Sequence, residues 1–174
     1  MSIFSAELRR LIQGSRLAET KKYIQHGNTS CFKHTLAVAY ISCKIADKLN
    51  IQVNKHELIR GAVLHDYFLY DWHGKNHSFH GFTHPYDALK NADMDFSLTD
   101  RERNIIKRHM FPLVPIPPKY REGAIVCIAD KYCSLLETFK ARPYTSKYRK
   151  DNRHVYNKSL FSVLRSIQLS WLGL

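Results

Sequence analysis

The amino-acid sequence predicts an all-α fold, and three observations support this class. Over most of the chain, apolar residues recur at steps of three and four, which is the period of one helix face. Asn54 and Thr99 each precede such a segment and have a glutamate three residues later, as at the start of many helices. Segments with the two-residue alternation of β-strands are scarce. The chain has 174 residues, and a domain commonly has about 100–200, so we predict one helical domain over 1–174.

Two short helices are predicted first, over about Ser5–Gln13 and Ala18–Gln25. The segment His26-Gly27-Asn28 ends the second one, because glycine and asparagine favour helix ends. A long helix then follows from about Cys31 to Leu49, with small or apolar residues at helical steps. These residues are Leu36, Ala39, Cys43 and Ala46.

The middle of the chain combines a helix with a loop. The helix that starts after Asn54 carries His65 on the same face as its apolar residues. From Tyr70 to His84 the helical spacing is lost, which indicates a loop. Pro85 suits the first turn of the next helix, which is predicted to end near Ala92.

Three more helices are predicted towards the C-terminus. Thr99 and Glu102 form a capping box for a helix that continues to His109. A proline-rich stretch follows as a stiff loop. Apolar periodicity then predicts a helix over about Lys119–Phe139 and another over about Asn157–Leu169.

The chain is strongly basic, with 27 lysines and arginines against 15 aspartates and glutamates and a formal net charge of +12. Such a charge suits a nucleic acid, an anionic membrane surface or a phosphorylated small molecule. We expect no membrane partner, because the apolar runs are far shorter than the ~18 residues of a spanning helix. Charged residues near the N-terminus also argue against a signal peptide.

Several common functional motifs are missing. The seven glycines form neither a dinucleotide-binding nor a phosphate-binding loop, and no G-x-S-x-G serine-hydrolase motif occurs. His56-Glu57 lacks the second histidine of the H-E-x-x-H zinc motif. The four cysteines form no C-x-x-C pair, so we expect reduced thiols and a cytoplasmic protein.

Side chains that bind metals stand out at several positions. His65 and Asp66 are adjacent, and on a helix they point about 100° apart, so both can reach one buried point. His34 lies on the preceding predicted helix. Asp130 follows the apolar run Ala124–Ala129, and a buried carboxylate without a partner is costly. We therefore expect either metal coordination or a hydrogen-bonded pair at Asp130.

Two further histidines fall between Asp66 and Asp130. His84 is at a predicted helix start, and His109 shares a helix face with two isoleucines. With them, the order of these residues from about Gly27 to Leu136 resembles the HD-domain superfamily of metal-dependent phosphohydrolases, and within it the two-metal subset. That subset includes the HD-type dinucleoside tetraphosphate hydrolases, which this chain resembles, and the HD-GYP cyclic-dinucleotide phosphodiesterases.

The resemblance implies an HD-type helical bundle, with a motif-bearing core at about 27–136 and a basic extension at about 140–174. It implies two divalent transition metal ions, with iron as the first expectation and manganese, zinc, nickel or cobalt as alternatives. The implied ligands of the first metal are His34, His65, Asp66 and Asp130. Those of the second metal are the bridging Asp66, His84 and His109.

The implied reaction is hydrolysis of a phosphoester or phosphoanhydride, with a nucleotide as the expected substrate. In such sites a metal-bound hydroxide attacks phosphorus, and the metals take up charge from the phosphoryl oxygens. Asp66 and His65 are the expected catalytic residues. The chain departs from the HD-GYP pattern at Tyr67-Phe68-Leu69, which lacks a lysine, and at His109-Met110, which is not a histidine pair. Cleavage of a small nucleotide therefore fits better than cleavage of a cyclic dinucleotide.

Three more residues are candidates for substrate binding, and they are His26, His80 and Lys131. His80 belongs to a histidine-rich loop that could bind phosphate or protonate a leaving oxygen. His26 lies at the predicted helix break, and Lys131 offers a point charge to a phosphate. A solvated loop, a helix cap and a solvated helix face are the alternative interpretations of these residues.

Two other functions stay open. The same ligands suit an HD-type diiron oxygenase, which would consume O₂ and need an oxidisable substrate. A basic nucleic-acid-binding or regulatory protein would keep the fold with an idle site. The stretch from Lys140 to Arg165 is rich in lysine, arginine and tyrosine, and such a surface can bind phosphates and stack on bases. A solvated surface is the first interpretation of this stretch, and the mouth of an anionic-substrate pocket is another.

Overall fold

Six α-helices and one 3₁₀ helix build the described part of the chain and confirm the all-α prediction. The computed structural model describes residues 3–73 and 79–139. The helices are α1 (Ile3–Ile12), the 3₁₀ helix (Arg16–Lys22), α2 (Cys31–Lys48), α3 (Lys55–Leu64), α4 (His80–Asp95), α5 (Asp100–Arg108) and α6 (Arg121–Phe139). Two short antiparallel strands, β1 (Ile24–His26) and β2 (Thr29–Ser30), pair within these residues. Within the described residues, no helix combines the length and the hydropathy of a membrane-spanning segment.

The chain divides into two units, Met1–Ala141 and Arg142–Leu174, and the described residues belong to the first. The predicted helix over Asn157–Leu169 and the basic extension at about 140–174 lie outside the described residues. The prediction of one domain over 1–174 therefore stays a prediction.

Helix α2 lies at the centre of the first unit, where it packs against α3 and α6. Every residue from 34 to 42 is buried, so this part of the helix meets protein on all sides. Its start is set by Ser30, whose hydroxyl oxygen accepts a hydrogen bond from the Lys33 amide at 3.4 Å. The predicted helix over Cys31–Leu49 is confirmed, and it carries His34 in the core.

Helices α3 and α5 start as the sequence predicts and pack closely on each other. Asn54 caps α3, and Thr99 and Glu102 form the predicted capping box of α5. At the contact between the two helices, a Cβ added to Gly61 would lie 2.5 Å from Cδ1 of Ile105. The missing side chain therefore allows the two backbones to approach.

The predicted helix over Ala18–Gln25 is wrong. The chain instead forms the 3₁₀ helix over Arg16–Lys22 and then the β1–β2 hairpin. Gly27 lies in the hairpin turn with a φ of +54°, a conformation that glycine adopts without strain. Strands of two or three residues are too short to show alternation, and a Gly-Asn pair is typical of hairpin turns as well as of helix ends.

Helix α4 starts at His80, five residues before the predicted start at Pro85, and it ends at Asp95 rather than near Ala92. Proline favours the first turn of a helix because it has no amide hydrogen. Here the buried face that includes His84 and Ala92 continues across the proline, and its packing outweighs the lost hydrogen bond. Residues 80–84, which were predicted as part of the loop, are helical instead, and His84 lies within α4.

Candidate metal centre

The six residues that the resemblance implies as metal ligands lie together in one buried cluster. Helix α2 contributes to it, together with the ends of α3 and α5, the first turns of α4 and the middle of α6. Each of the six residues is at most 6% exposed. The six residues are His34, His65, Asp66, His84, His109 and Asp130.

The carboxylate of Asp66 lies between two pairs of imidazoles. Its Oδ2 is 3.5 Å from Nε2 of His34 and 3.3 Å from Nε2 of His65. Its Oδ1 is 3.3 Å from Nε2 of His84 and 3.5 Å from Nε2 of His109. Each oxygen therefore faces one pair, which is the arrangement that a carboxylate needs to bridge two cations.

Asp130 joins one of these pairs from α6. Its Oδ1 lies 3.1 Å from Nε2 of His34 and 3.7 Å from Nε2 of His65. We call His34, His65, Asp66 and Asp130 the first ligand group. Asp66, His84 and His109 form the second ligand group, in which the two histidine Nε2 atoms are 2.8 Å apart.

Backbone carbonyls orient three of the four histidines. His65 and His109 directly follow α3 and α5, where the last helical carbonyls lack an intrahelical partner. A carbonyl can only accept, so Nδ1 carries the hydrogen and Nε2 faces the cluster. The acceptors, each 2.7 Å from Nδ1, are Ala62 for His65, His80 for His84 and Ile106 for His109.

The two ligand groups differ in their electrostatics. Burial opposes the charging of His65, but the Asp66 and Asp130 carboxylates outweigh burial and raise the pKa of His65 to about 9. Burial, followed by the neighbouring His65 and His84, lowers the pKa of His109 to about 3. The pKa of the Asp66 carboxyl is well below its usual range, because His65 and His84 outweigh the cost of burial. Without a metal, the imidazole of His65 therefore holds a proton that a metal must displace.

Two residues of this region were not predicted from the sequence, and one of them is Glu137. Its Oε2 lies 2.8 Å from Nδ1 of His34, and both side chains are fully buried. A signal for Glu137 exists, because it follows Asp130 by two helical turns and so shares a face of α6 with it.

The second missed residue is Gln25, on strand β1. Its Nε2 donates to Oδ2 of Asp66 at 2.6 Å. The thiol of Cys31 also contacts Asp66 and donates to its backbone carbonyl at 3.1 Å. Burial, followed by the nearby Asp66 and Glu137, raises the pKa of that thiol, so Cys31 stays protonated. No pattern in the sequence marks Gln25.

The predicted substrate-binding residues lie beside the cluster. The ring of His26 is 5.3 Å from that of His34, centroid to centroid. His80 stacks on His84 at 4.5 Å and its Nδ1 lies 3.0 Å from the hydroxyl of Tyr70. The ammonium group of the third residue, Lys131, donates to the backbone carbonyl of His109 at 2.9 Å and lies 3.5 Å from Oδ2 of Asp130.

The donor set fits a pair of divalent transition metal ions. Within the described residues, Nε2 of His65 and Oδ1 of Asp66 are buried and have no hydrogen-bond partner, which is costly unless a cation binds them. Three triplets of ligand atoms in the described residues lie within 4.8 Å of one another. Two of them belong to the first and the second ligand group, and the third consists of His26, His34 and Glu137. Mixed imidazole and carboxylate donors suit iron, manganese, zinc, nickel and cobalt.

A buried cluster of histidines and aspartates on an all-α scaffold defines a candidate metal centre, and a family comparison agrees with it. The HD domain model matches residues 31–135, more than half of the chain, and the chain belongs to the HD domain family. The HD domain defines a superfamily of metal-dependent phosphohydrolases. No curated protein and no solved structure matched the chain. The narrower resemblance to dinucleoside tetraphosphate hydrolases stays a prediction.

Proposed function

We propose that this chain is a two-metal phosphohydrolase that cleaves a phosphoester or phosphoanhydride of an anionic small molecule, with a nucleotide as the substrate. The observation that carries the proposal is the position of Asp66. Its two oxygens face two separate histidine pairs at 3.3–3.5 Å. The same site also supports the proposed cofactor, two divalent transition metal ions, of which iron is the first to test. A cytoplasmic location stays a prediction.

The proposed roles divide along the two ligand groups. The first ligand group would hold one ion and the second would hold the other, with Asp66 shared. When bound, such ions lower the pKa of a water molecule to about 7 and neutralise charge on phosphoryl oxygens. Asp66 and His65 are the proposed catalytic residues, since they hold the reacting centre from adjacent positions of one chain segment.

The chain's own residues supply orientation and charge around that centre. The carbonyl acceptors hold His65, His84 and His109 with Nε2 towards the cluster. The ammonium group of Lys131 contacts the His109 carbonyl and lies near the Asp130 carboxylate. Its proposed role is to attract the substrate phosphate. His26 and His80 are the proposed contacts for the phosphate or the leaving group.

The test is phosphate release by the metal-loaded protein from nucleoside mono-, di- and triphosphates and from dinucleoside polyphosphates. Asp66→Ala is expected to abolish release while the protein stays folded. Asp93→Ala is the matched control, because Asp93 lies on the surface in an ion pair with Arg103, and it should keep wild-type activity. Full activity in Asp66→Ala would show that hydrolysis does not occur at this centre.

Two other outcomes would favour the alternative functions. Iron binding with O₂ uptake and no phosphate release would favour the diiron oxygenase. Nucleic-acid binding that falls steeply with salt and survives Asp66→Ala would favour a binding or regulatory protein. The basic stretch on which that second alternative depends lies outside the described residues.

A further inference from the structure

Glu137 is a buried carboxylate in the last turn of α6, and it lies against His34. Its Oε2 is 2.8 Å from Nδ1 of His34, and neither side chain is exposed. On the opposite edge of the ring, Nε2 of His34 is 3.1 Å from Oδ1 of Asp130. One face of α6 therefore contacts both nitrogens of this imidazole.

His34 differs in this respect from the other three histidines of the cluster. Each of those donates through Nδ1 to a neutral backbone carbonyl three or four residues earlier. His34 instead meets a charged carboxylate from a different helix. A carboxylate at Nδ1 fixes the tautomer of a metal-binding histidine and makes its other nitrogen a stronger ligand.

The β1–β2 hairpin packs on the backbone of Glu137. A Cβ added to Gly27 would lie 2.5 Å from the Glu137 carbonyl oxygen, so the hairpin turn approaches this carbonyl directly. Gln25 of the same hairpin donates to Oδ2 of Asp66, the oxygen that faces the first ligand group. The hairpin and the last turn of α6 thus support the first ligand group together.

We propose that Glu137 is a positioning residue for the first ligand group: its carboxylate keeps His34 with Nε2 towards Asp66 and Asp130 and strengthens cation binding there. The inference rests on the proposed function, because it takes the cluster to be a metal centre. It makes the two ion positions unequal. Removal of the Glu137 charge weakens cation binding at the first ligand group and leaves the second unchanged.

The test measures Mn²⁺ binding by isothermal titration and metal content by elemental analysis, on full-length protein. Glu137→Gln removes the charge but keeps an acceptor oxygen, and Glu137→Ala removes both. Glu7→Gln is the matched control, because Glu7 is similarly buried but lies on α1, where it pairs with Arg10 and His56 outside the cluster. We expect Glu137→Gln to lower the binding affinity for one of the two ions about 10–100-fold, the usual effect of losing such a partner. Glu137→Ala should lower the affinity for the same ion further.

A spectroscopic measurement separates positioning from a general loss of stability. In Zn²⁺-loaded wild type, the Nδ1 hydrogen of His34 should give a downfield proton resonance, because it is hydrogen-bonded to the Glu137 carboxylate. This resonance should move upfield in Glu137→Gln and vanish in Glu137→Ala. Circular dichroism checks that each variant is folded, and Glu137→Gln suffices if Glu137→Ala does not fold.

The outcomes separate this inference from the hydrolase proposal. Wild-type affinity for both ions in Glu137→Gln overturns the positioning role. Equal weakening of both ions in a folded Glu137→Gln overturns its restriction to the first ligand group. A wild-type protein that binds two ions but cleaves no phosphate compound overturns the hydrolase proposal alone. A wild-type protein that binds no ion overturns both.

Discussion

Metal binding at the first ligand group should strengthen as the pH rises from 6.5 to 8.0. The pKa of His65 is about 9 in the metal-free protein, so its imidazole is protonated throughout this range. A metal binds only the neutral imidazole and must displace that proton. With a pKa of about 9, the neutral fraction of His65 rises about 30-fold between these two pH values. For this histidine, that increase equals about 2 kcal/mol of apparent binding free energy.

His109 of the second ligand group provides an internal control for this prediction. The pKa of His109 is about 3, so this histidine has no proton to lose between pH 6.5 and 8.0. Isothermal titration with Mn²⁺ in two buffers of different ionisation enthalpy counts the protons released with each ion. We expect one of the two ions to release at least one proton, which includes the proton on Nε2 of His65. Two ions that both bind without proton release, at affinities independent of pH, would show that His65 holds no proton that a metal displaces.

Two further predictions concern the scaffold. Gly61→Val places methyl groups where Ile105 already lies, so it should destabilise the protein by about 1–3 kcal/mol and lower the melting temperature; an unchanged melting temperature would contradict the close α3–α5 contact. Asp95 accepts hydrogen bonds from Arg16 and Tyr67. These bonds outweigh burial and lower the pKa of Asp95 from 3.8. The stabilisation by the ionised carboxylate is therefore present above pH 3.8 and is lost as the pH falls through the lowered pKa. Asp95→Asn should therefore reduce the free energy of unfolding at pH 7 by about 1–3 kcal/mol, and denaturant titrations should show this difference shrinking below pH 3.8 rather than staying constant.

The fold was predictable wherever a local signal and the packing agree. The capping box at Thr99 and the apolar periodicity of α2 report on interactions within a few residues, and both are confirmed. The start of α4 was not predictable, because the packing of buried His84 and Ala92 overrides the local preference of Pro85.

The candidate site divides in a similar way. Histidines and aspartates are conspicuous in a sequence, and all six implied ligands do converge in the structure. Glu137 and Gln25 were missed, because a residue that supports a ligand needs only one acceptor or donor, which many residue types supply. Gln25 also depends on a hairpin whose strands are too short to show a period. Its contact with Asp66 spans 41 residues of chain, and only the folded structure brings the two together.

Whether Asp66 joins two metal positions can be decided from the metal content of wild type and Asp66→Ala. Both proteins are purified without metal-affinity resin, reconstituted with iron, manganese or zinc, and analysed for bound metal per chain. We expect about two equivalents in wild type, as in other two-metal sites, and loss of metal in a folded Asp66→Ala protein. Two equivalents retained in Asp66→Ala, or no metal in reconstituted wild type, would show that Asp66 does not join two metal positions.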